Sequence, residues 1–135
     1  MTLSAQDALI HLMVVTASSD AGISGREFTR IGTLIDRLPV FADYEKARLV
    51  EVANACVDRM NGEAGLEGVL DAAVAALPER LHDTGYALAV EVAVVDFQLP
   101  QEELRLLEMI RDRLAVDRLV TAAIEAAARA RLRKP

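Results

Sequence analysis

The chain has 135 residues and a formal net charge of −6; apolar residues make up 53% of it, aromatic residues 4%, and tryptophan is absent. This length fits one domain that needs no disulfide or structural metal, and a core of Ala, Leu, Val and Ile favours packed helices over a sheet. Residues 129–134 hold four of the fifteen basic side chains and no acid, so the rest carries 11 basic against 21 acidic residues, a net of −10. That charge disfavours nucleic acid as a partner.

Helical periodicity and turn signals predict an all-α fold, a compact bundle of about seven helices. Ser4 and Ser24 are each followed three residues later by an acid, which is typical of a helix N-terminus, and Asp43 and Asp117 are expected to cap two further helices. Pro78 is expected at the first position of the fifth helix. In chain order, the expected helices span about residues 4–19, 24–38, 43–60, 66–77, 78–94, 100–114 and 117–133.

Apolar residues recur at helical spacing along these segments and predict which faces point inwards. The expected inner faces are Leu9, Leu12, Met13 and Thr16 on the first helix, Phe28, Ile31, Leu34, Ile35 and Leu38 on the second, and Leu49, Ala53, Cys56 and Met60 on the third.

An internal repeat appears when the chain is shifted by 76 residues. The shift aligns Asp20 with Asp96, Glu27 with Glu103, and the segment 36–38 with 112–114. It also aligns apolar positions, which include Leu12 with Leu88, Val14 with Val90, Ile31 with Leu107 and Leu34 with Ile110. Ala-rich helices align with one another easily, so the charged identities carry the argument. We therefore expect one domain with repeat one at about 4–38, connecting helices at about 43–77, repeat two at about 80–114 and a C-terminal helix at about 117–133.

Both repeats contain the pattern Asp-x-x-(Ile or Leu)-x-x-x-Glu, at residues 20–27 and 96–103. An Asp ends one helix, an apolar residue closes the corner, and a Glu lies in the first turn of the next helix. The pattern is not an EF-hand, because that loop places its bidentate Glu at position twelve, whereas here the Glu comes at position eight.

The doubled pattern resembles the tellurite-resistance TerB family, in which an Asp-Gly-x-hydrophobic-x-x-x-Glu signature occurs in each of two helical repeats. The resemblance covers nearly the whole chain, but Ala21 and Phe97 stand where the family has Gly. It implies a compact helical fold, a link to tellurite and other chemical stresses, and a cation-binding role for the acidic residues. It does not imply that this chain handles tellurite directly.

Two interpretations of Asp20, Glu27, Asp96 and Glu103 are open. If the repeats pack with their turns adjacent, four carboxylates would repel one another, and a hard divalent cation such as calcium or magnesium would relieve that repulsion. Alternatively the residues are helix caps, since carboxylates are already favoured near helix N-termini.

Other reactive side chains give no catalytic pattern. Cys56 lies on the apolar stripe of its helix and is expected in the core. His11 and His82 have no partner at the spacing of a transition-metal pair and are expected to be partly exposed or locally hydrogen-bonded. Phosphate-binding glycine loops, nucleophile elbows and His-Glu-x-x-His are absent from the sequence, so we expect a non-enzymatic protein. The alternative that stays open is a hydrolase whose carboxylates come together only in the fold.

The sequence thus predicts a cytoplasmic module without a signal peptide or transmembrane segment. The TerB resemblance implies a stress-associated module, in which the paired acidic turns would bind a divalent cation. The alternative is a protein-interaction or dimerisation module whose acidic residues are only caps, because spare apolar faces of Ala-rich helices commonly pair with a neighbour. The expected partner is a second copy or another stress-response protein. The basic residues near the C-terminus are interpreted as complementing the dipole of the last helix.

Overall fold

Residues 3–18, 23–93 and 101–135 are described by the computed structural model, and within these ranges all regular structure is helical. Seven α-helices are present among them: α1 (Ala5–Ala17), α2 (Gly25–Arg37), α3 (Leu49–Met60), α4 (Gly65–Ala76), α5 (His82–Ala93), α6 (Gln101–Leu114) and α7 (Arg118–Arg131). Short 3-10 turns occupy Pro39–Phe41, Lys46–Arg48 and Glu79–Leu81. None of the described helices is long and apolar enough to span a membrane.

Helix α1 forms the centre of the core. Every residue from Ala8 to Ala17 is buried, and α1 packs against α2, α3, α4, α5 and α6. The predicted inner face of α1 was therefore too narrow, because the helix is apolar on all sides and is enclosed rather than laid on a surface. Its two polar core side chains bond within the helix: Thr16 Oγ1 donates to the Leu12 carbonyl at 2.8 Å, and His11 contacts the Asp7 carbonyl.

The inner faces predicted for α2 and α3 are confirmed in their central positions. Ile31, Leu34 and Ile35 are buried on α2, while Phe28 and Leu38 are partly buried at its two ends. On α3, Leu49, Ala53 and Cys56 are buried and Met60 is partly buried.

Three predicted helix N-caps are confirmed. The Ser4 hydroxyl accepts the amide of Asp7 at 3.0 Å, and the Ser24 hydroxyl accepts that of Glu27 at 3.2 Å. The Asp117 carboxylate accepts the Leu119 amide at 3.2 Å. These contacts satisfy amides that have no partner inside their own helix.

The predicted cap at Asp43 is wrong. Asp43 has φ 64°, and α3 begins only at Leu49, after the 3-10 turn Lys46–Arg48. Long-range contacts shape this segment instead: Gln6 Nε2 donates to the Val40 and Ala42 carbonyls at 3.2 and 3.1 Å, and the Tyr44 hydroxyl donates to the Asp7 carboxylate at 2.9 Å. Asp tolerates the left-handed conformation better than most residues, so these contacts can impose it.

The fifth helix also begins later than predicted. Pro78 has an extended conformation (φ −61°, ψ 147°) and precedes the 3-10 turn Glu79–Leu81, so α5 starts at His82. The proline therefore introduces the turn rather than the α-helix itself.

Positions related by the 76-residue shift share their burial. The pairs Leu12 with Leu88, Val14 with Val90, Ile31 with Leu107, and Leu34 with Ile110 are buried on both sides. Two helix ends that lie inside the described ranges also agree: shifted by 76, the start of α1 falls one residue before the start of α5, and the end of α2 one residue before the end of α6. The two halves therefore place equivalent residues in one core, whereas their origin by duplication stays a prediction.

Replacing Ala115 with glycine should stabilise the fold. Ala115 follows α6 with φ 52°, and its amide bonds to the Arg111 carbonyl at 3.0 Å. Glycine adopts this left-handed conformation without the penalty that a Cβ brings, so Ala115→Gly should raise the unfolding free energy by roughly 0.5–1 kcal/mol. Urea denaturation measures the change.

The matched control is Ala72→Gly, at an exposed position inside α4. There glycine should lower the unfolding free energy by about 1 kcal/mol. Equal losses in both variants would contradict the assignment of Ala115 as the left-handed residue that ends α6.

Candidate functional site

Two of the four carboxylates predicted to bind a cation are described by the structure. Glu27 and Glu103 are each the third residue of their helix, α2 and α6, and both are partly buried. Asp20 and Asp96 lie outside the described residues, so the convergence of the two acidic turns stays a prediction. What the structure adds is the equivalent placement of the two glutamates.

The Glu27 carboxylate takes part in capping α2. Ser24 Oγ donates to Glu27 Oε1 at 2.8 Å while it accepts the Glu27 amide at 3.2 Å. This pairing agrees with the capping interpretation, and a carboxylate in a first turn is also favoured by the helix dipole. A carboxylate has two oxygen atoms, so the bond to Ser24 does not by itself prevent Glu27 from binding a cation.

Within the described ranges, no three or more His, Cys, Asp and Glu side chains are grouped so that they could hold a metal ion. Any cation site at the acidic turns would therefore need ligands from residues 19–22 or 94–100, where Asp20 and Asp96 lie.

His11 is a neutral, buried histidine with a defined tautomer. Its Nδ1 lies 2.8 Å from the Asp7 carbonyl oxygen, and its Nε2 lies 3.1 Å from Nη1 of Arg59. A carbonyl only accepts and a guanidinium only donates, so Nδ1 carries the proton and Nε2 is the acceptor. Burial lowers the pKa of His11, and the positive charge of Arg59 acts in the same direction.

Cys56 is a core residue, in agreement with the sequence prediction. It is fully buried, its Sγ lies 3.9 Å from the His11 carbonyl, and burial raises the pKa of its thiol to about 12. A thiol of this kind is inert as a nucleophile, because the thiolate is the reactive form.

His82 joins the ends of two helices. Nδ1 lies 2.9 Å from the carbonyl of Leu114, the last residue of α6, and Nε2 lies 3.1 Å from the carbonyl of Leu77, which follows α4. Both carbonyl groups lie at helix ends, where they have no partner within their own helices, and a ring nitrogen that carries a proton donates to the carbonyl it faces. His82 is partly exposed, as one of the two expectations had it, whereas its hydrogen bonding is local only towards Leu77, because Leu114 lies 32 residues along the chain.

Glu91 on α5 connects three helices. Its carboxylate, which is only 16% exposed, accepts Arg30 of α2 at 2.5 Å and also pairs with Arg131 of α7. Nε of Arg30 is buried and has no hydrogen-bond partner among the described residues. Two cations therefore share one largely buried anion at the place where α2 and α7 meet α5.

One side of α7 rests on the body of the protein. Thr121 and Ala128 are buried, and the Tyr86 hydroxyl of α5 donates to the Glu125 carboxylate at 2.5 Å. Together with the Arg131 pair, these contacts fix the rotation of α7 about its own axis.

The opposite side of α7 is exposed and apolar. Leu119 is 81% exposed, and five exposed alanines follow it on the outward side of the helix. We call this surface the α7 face; it comprises Leu119, Ala122, Ala123, Ala126, Ala127 and Ala130. At 3.6 residues per turn they occupy one side of the helix, and Arg118, Glu125 and Arg129 lie at its edge. A surface helix ordinarily turns charged residues to solvent on this side.

Further exposed apolar side chains lie on both flanks of the α7 face. Leu104 of α6, 42% exposed, lines the groove beside Arg129, and Val120, 37% exposed, lines the groove on the other flank with Val116 and Val74. Charged residues line both grooves as well, so the apolar surface is interrupted at the edges of the α7 face.

Sequence reasoning did not single out the α7 face. Leu119, Ala123, Ala126 and Ala130 recur at i, i+4, i+7 and i+11, which is the spacing of one helical side. This spacing could have identified the stripe, but not whether it points to the core or to solvent. The buried positions Thr121 and Ala128 decide that orientation.

Comparisons with protein-family models, curated proteins and solved structures gave no match to this chain. The similarity to the TerB family therefore rests on the doubled acidic pattern alone.

The unfolding free energy should fall as the pH is lowered below about 6.5, partly because of His11. The unfolded state takes up a proton near the ordinary pKa of histidine, whereas the folded state keeps His11 neutral to lower pH. Between these two pKa values the unfolded state binds more protons than the folded state, so the unfolding free energy falls as the pH falls. One such group changes the unfolding free energy by at most about 1.4 kcal/mol per pH unit. Chemical denaturation between pH 7.5 and 5 measures it.

The control is His11→Gln, which removes the titrating group and leaves His82 and all carboxylates in place. Its unfolding free energy should depend less steeply on pH than that of the parent over the same interval. Identical slopes in the two proteins would show that His11 does not stay neutral in the fold.

Proposed function

We propose that this chain is a non-enzymatic, cytoplasmic module that works by docking another protein helix on the α7 face. The observation that carries the proposal is the outward side of α7, where a leucine exposed to 81% and five exposed alanines replace the usual charged residues. Small side chains let a second helix approach closely, and Leu119 supplies the bulk of the apolar contact.

The absence of enzymatic activity is part of the proposal. It is supported by the state of the groups that most often act in catalysis. Burial raises the pKa of the Cys56 thiol to about 12, both ring nitrogens of His11 are engaged, and those of His82 face carbonyl oxygens. None of these groups is poised as a nucleophile or general base.

A photo-crosslinking amino acid tests the α7 face directly. Placed at Ala127, on the border of the face, it should give a discrete cross-linked protein after irradiation in the cells that carry the chain. The same amino acid at Asn54, which is exposed on α3, should not give that product.

Adding Ala123→Glu to the Ala127 probe should abolish the product, because a charge in the centre of the face would have to be desolvated on docking. If the two probe positions give the same pattern, or if neither gives a discrete product, the α7 face is not a docking surface.

A second function is proposed for the acidic turns: binding of a divalent cation such as calcium or magnesium in a stress-associated, TerB-like module. The observation that favours it is the equivalent position of Glu27 and Glu103 in the first turns of α2 and α6. In this proposal Asp20 and Asp96 complete the ligand set, and the cation offsets the mutual repulsion of four carboxylates.

Titration calorimetry of chelator-treated protein with calcium, magnesium, manganese and zinc tests the cation proposal. The parent protein should bind one of them and gain about 2.7 kcal/mol of unfolding free energy at 100 times the Kd. The double variant Asp20→Asn with Asp96→Asn should lose this gain.

The double variant Glu45→Gln with Glu63→Gln is the control, because it removes the same charge from exposed positions elsewhere. It should keep the gain. If the aspartates are only caps, the unfolding free energy of the metal-free Asp20→Asn, Asp96→Asn protein should instead be lower than that of the parent by roughly 0.5–2 kcal/mol. Metal should then stabilise none of the variants.

A further inference from the structure

We infer that the protonation state of His82 controls how firmly the end of α6 is held against the end of α4. The observation that carries this inference is the position of both ring nitrogens, because each of them faces the carbonyl of a buried residue. No residue of the α7 face or of the acidic turns takes part, so this contact is independent of the two functions proposed above.

The two carbonyl groups depend on His82 for a hydrogen-bond donor. Nδ1 lies 2.9 Å from the Leu114 oxygen, and Nε2 lies 3.1 Å from the Leu77 oxygen. Leu77 and Leu114 are 5% and 2% exposed, so water has little access to either carbonyl. Within the described part of the chain, neither oxygen accepts a hydrogen bond from another donor. Leaving a buried carbonyl unpaired costs free energy, so the number of protons on the ring matters to the fold.

Only the doubly protonated ring donates to both carbonyls. A neutral imidazole has one N–H, so its other nitrogen turns a lone pair towards a carbonyl oxygen, and that oxygen stays unpaired. The imidazolium carries a proton on each nitrogen and donates to both oxygens, and a charged donor forms the stronger bonds. His11 has the opposite arrangement, because the guanidinium of Arg59 faces its Nε2 and fits only a neutral ring.

The charged groups around His82 favour the same state. Side chains from the 3-10 turn Glu79–Leu81, from α5, from α6 and from the corner before α7 line the groove beside the ring, and the charged ones are Glu79, Arg80, Asp83, Arg113 and Asp117. Arg113 is paired with Asp71 and Glu67 of α4, so its charge is partly compensated. The three carboxylates favour the imidazolium, whereas the guanidinium of Arg80 opposes it.

The second proton therefore strengthens a link between two corners of the fold. Leu77 follows the end of α4, while Leu114 ends α6 and is followed directly by the corner 115–117 that leads into α7. When the ring is neutral, one of its two bonds is lost, and whichever bond that is, His82 no longer joins α4 to α6. The folded state thus gains from a bound proton, so this stabilisation is complete below about pH 6.5, where an ordinary histidine is protonated, and is lost at higher pH.

Nuclear magnetic resonance of the parent protein tests the link without any substitution. The ¹⁵N signals of both His82 ring nitrogens should report the imidazolium up to a higher pH in the folded protein than in the urea-unfolded protein. The ¹³C signals of the Leu77 and Leu114 carbonyls should shift with the same midpoint as the ring. The carbonyl of Leu38, which follows α2 and accepts the amide of Phe41, is the control and should not follow that midpoint. A ring that becomes neutral at the same or a lower pH than in urea, or carbonyl signals that do not follow the ring, overturns the inference.

The variant His82→Gln tests the energetic consequence. Glutamine does not titrate, while His11 and all carboxylates are common to both proteins, so a comparison of the two isolates His82. The unfolding equilibrium constant of the variant, divided by that of the parent, should be roughly three to ten times larger at about pH 5.5 than at about pH 8.5, because the imidazolium adds one charged hydrogen bond. A ratio that is equal at both values, or larger at the higher pH, refutes the proposed role of the second proton.

Discussion

Enclosure of α1 is the constraint on which the rest of the structure depends. From Ala8 to Ala17 the helix has no side that faces water, so it must be covered in every direction. Five helices provide that cover, and each needs an apolar stripe only on the side that meets α1 or a neighbour. The two polar side chains of this enclosed stretch, His11 and Thr16, are tolerated because each bonds to a backbone carbonyl of the same helix.

Helix α7 belongs to a second layer, and this position explains its exposed apolar side. It packs chiefly on α5 and is held there by Glu125 and Arg131 at specific points. The inner surface of α7 is correspondingly narrow, with Thr121 and Ala128 as its buried residues. Because α7 contacts α5 over a narrow surface, Leu119 and the exposed alanines of the α7 face take no part in that contact.

Much of the fold could be predicted from local sequence. The N-caps at Ser4, Ser24 and Asp117 lie where the pattern places them, because a cap depends on residues only a few positions apart. Asp43 could not be predicted in this way. Its conformation depends on contacts that Gln6 and Asp7 make with the segment 40–44, more than thirty residues along the chain.

The candidate sites differ in how far sequence could define them. The acidic turns were visible as a repeated pattern, and the structure adds only that Glu27 and Glu103 occupy equivalent first-turn positions. The α7 face was not recognised, because periodicity identifies a stripe of small apolar residues without saying which way it points. Its direction is a property of tertiary packing, set by the bonds of Tyr86 and Glu91 to α7.

The Glu91 carboxylate links the stability of α2 to that of α7. Arg30, on the helix that carries Glu27, and Arg131, on the helix that carries the α7 face, are neutralised by the same anion. If either arginine is replaced, the other still pairs with Glu91 and no longer shares it. The effects of the two substitutions on the unfolding free energy therefore cannot be additive. Glu91 thus connects α2, which carries Glu27, with the outer helix α7.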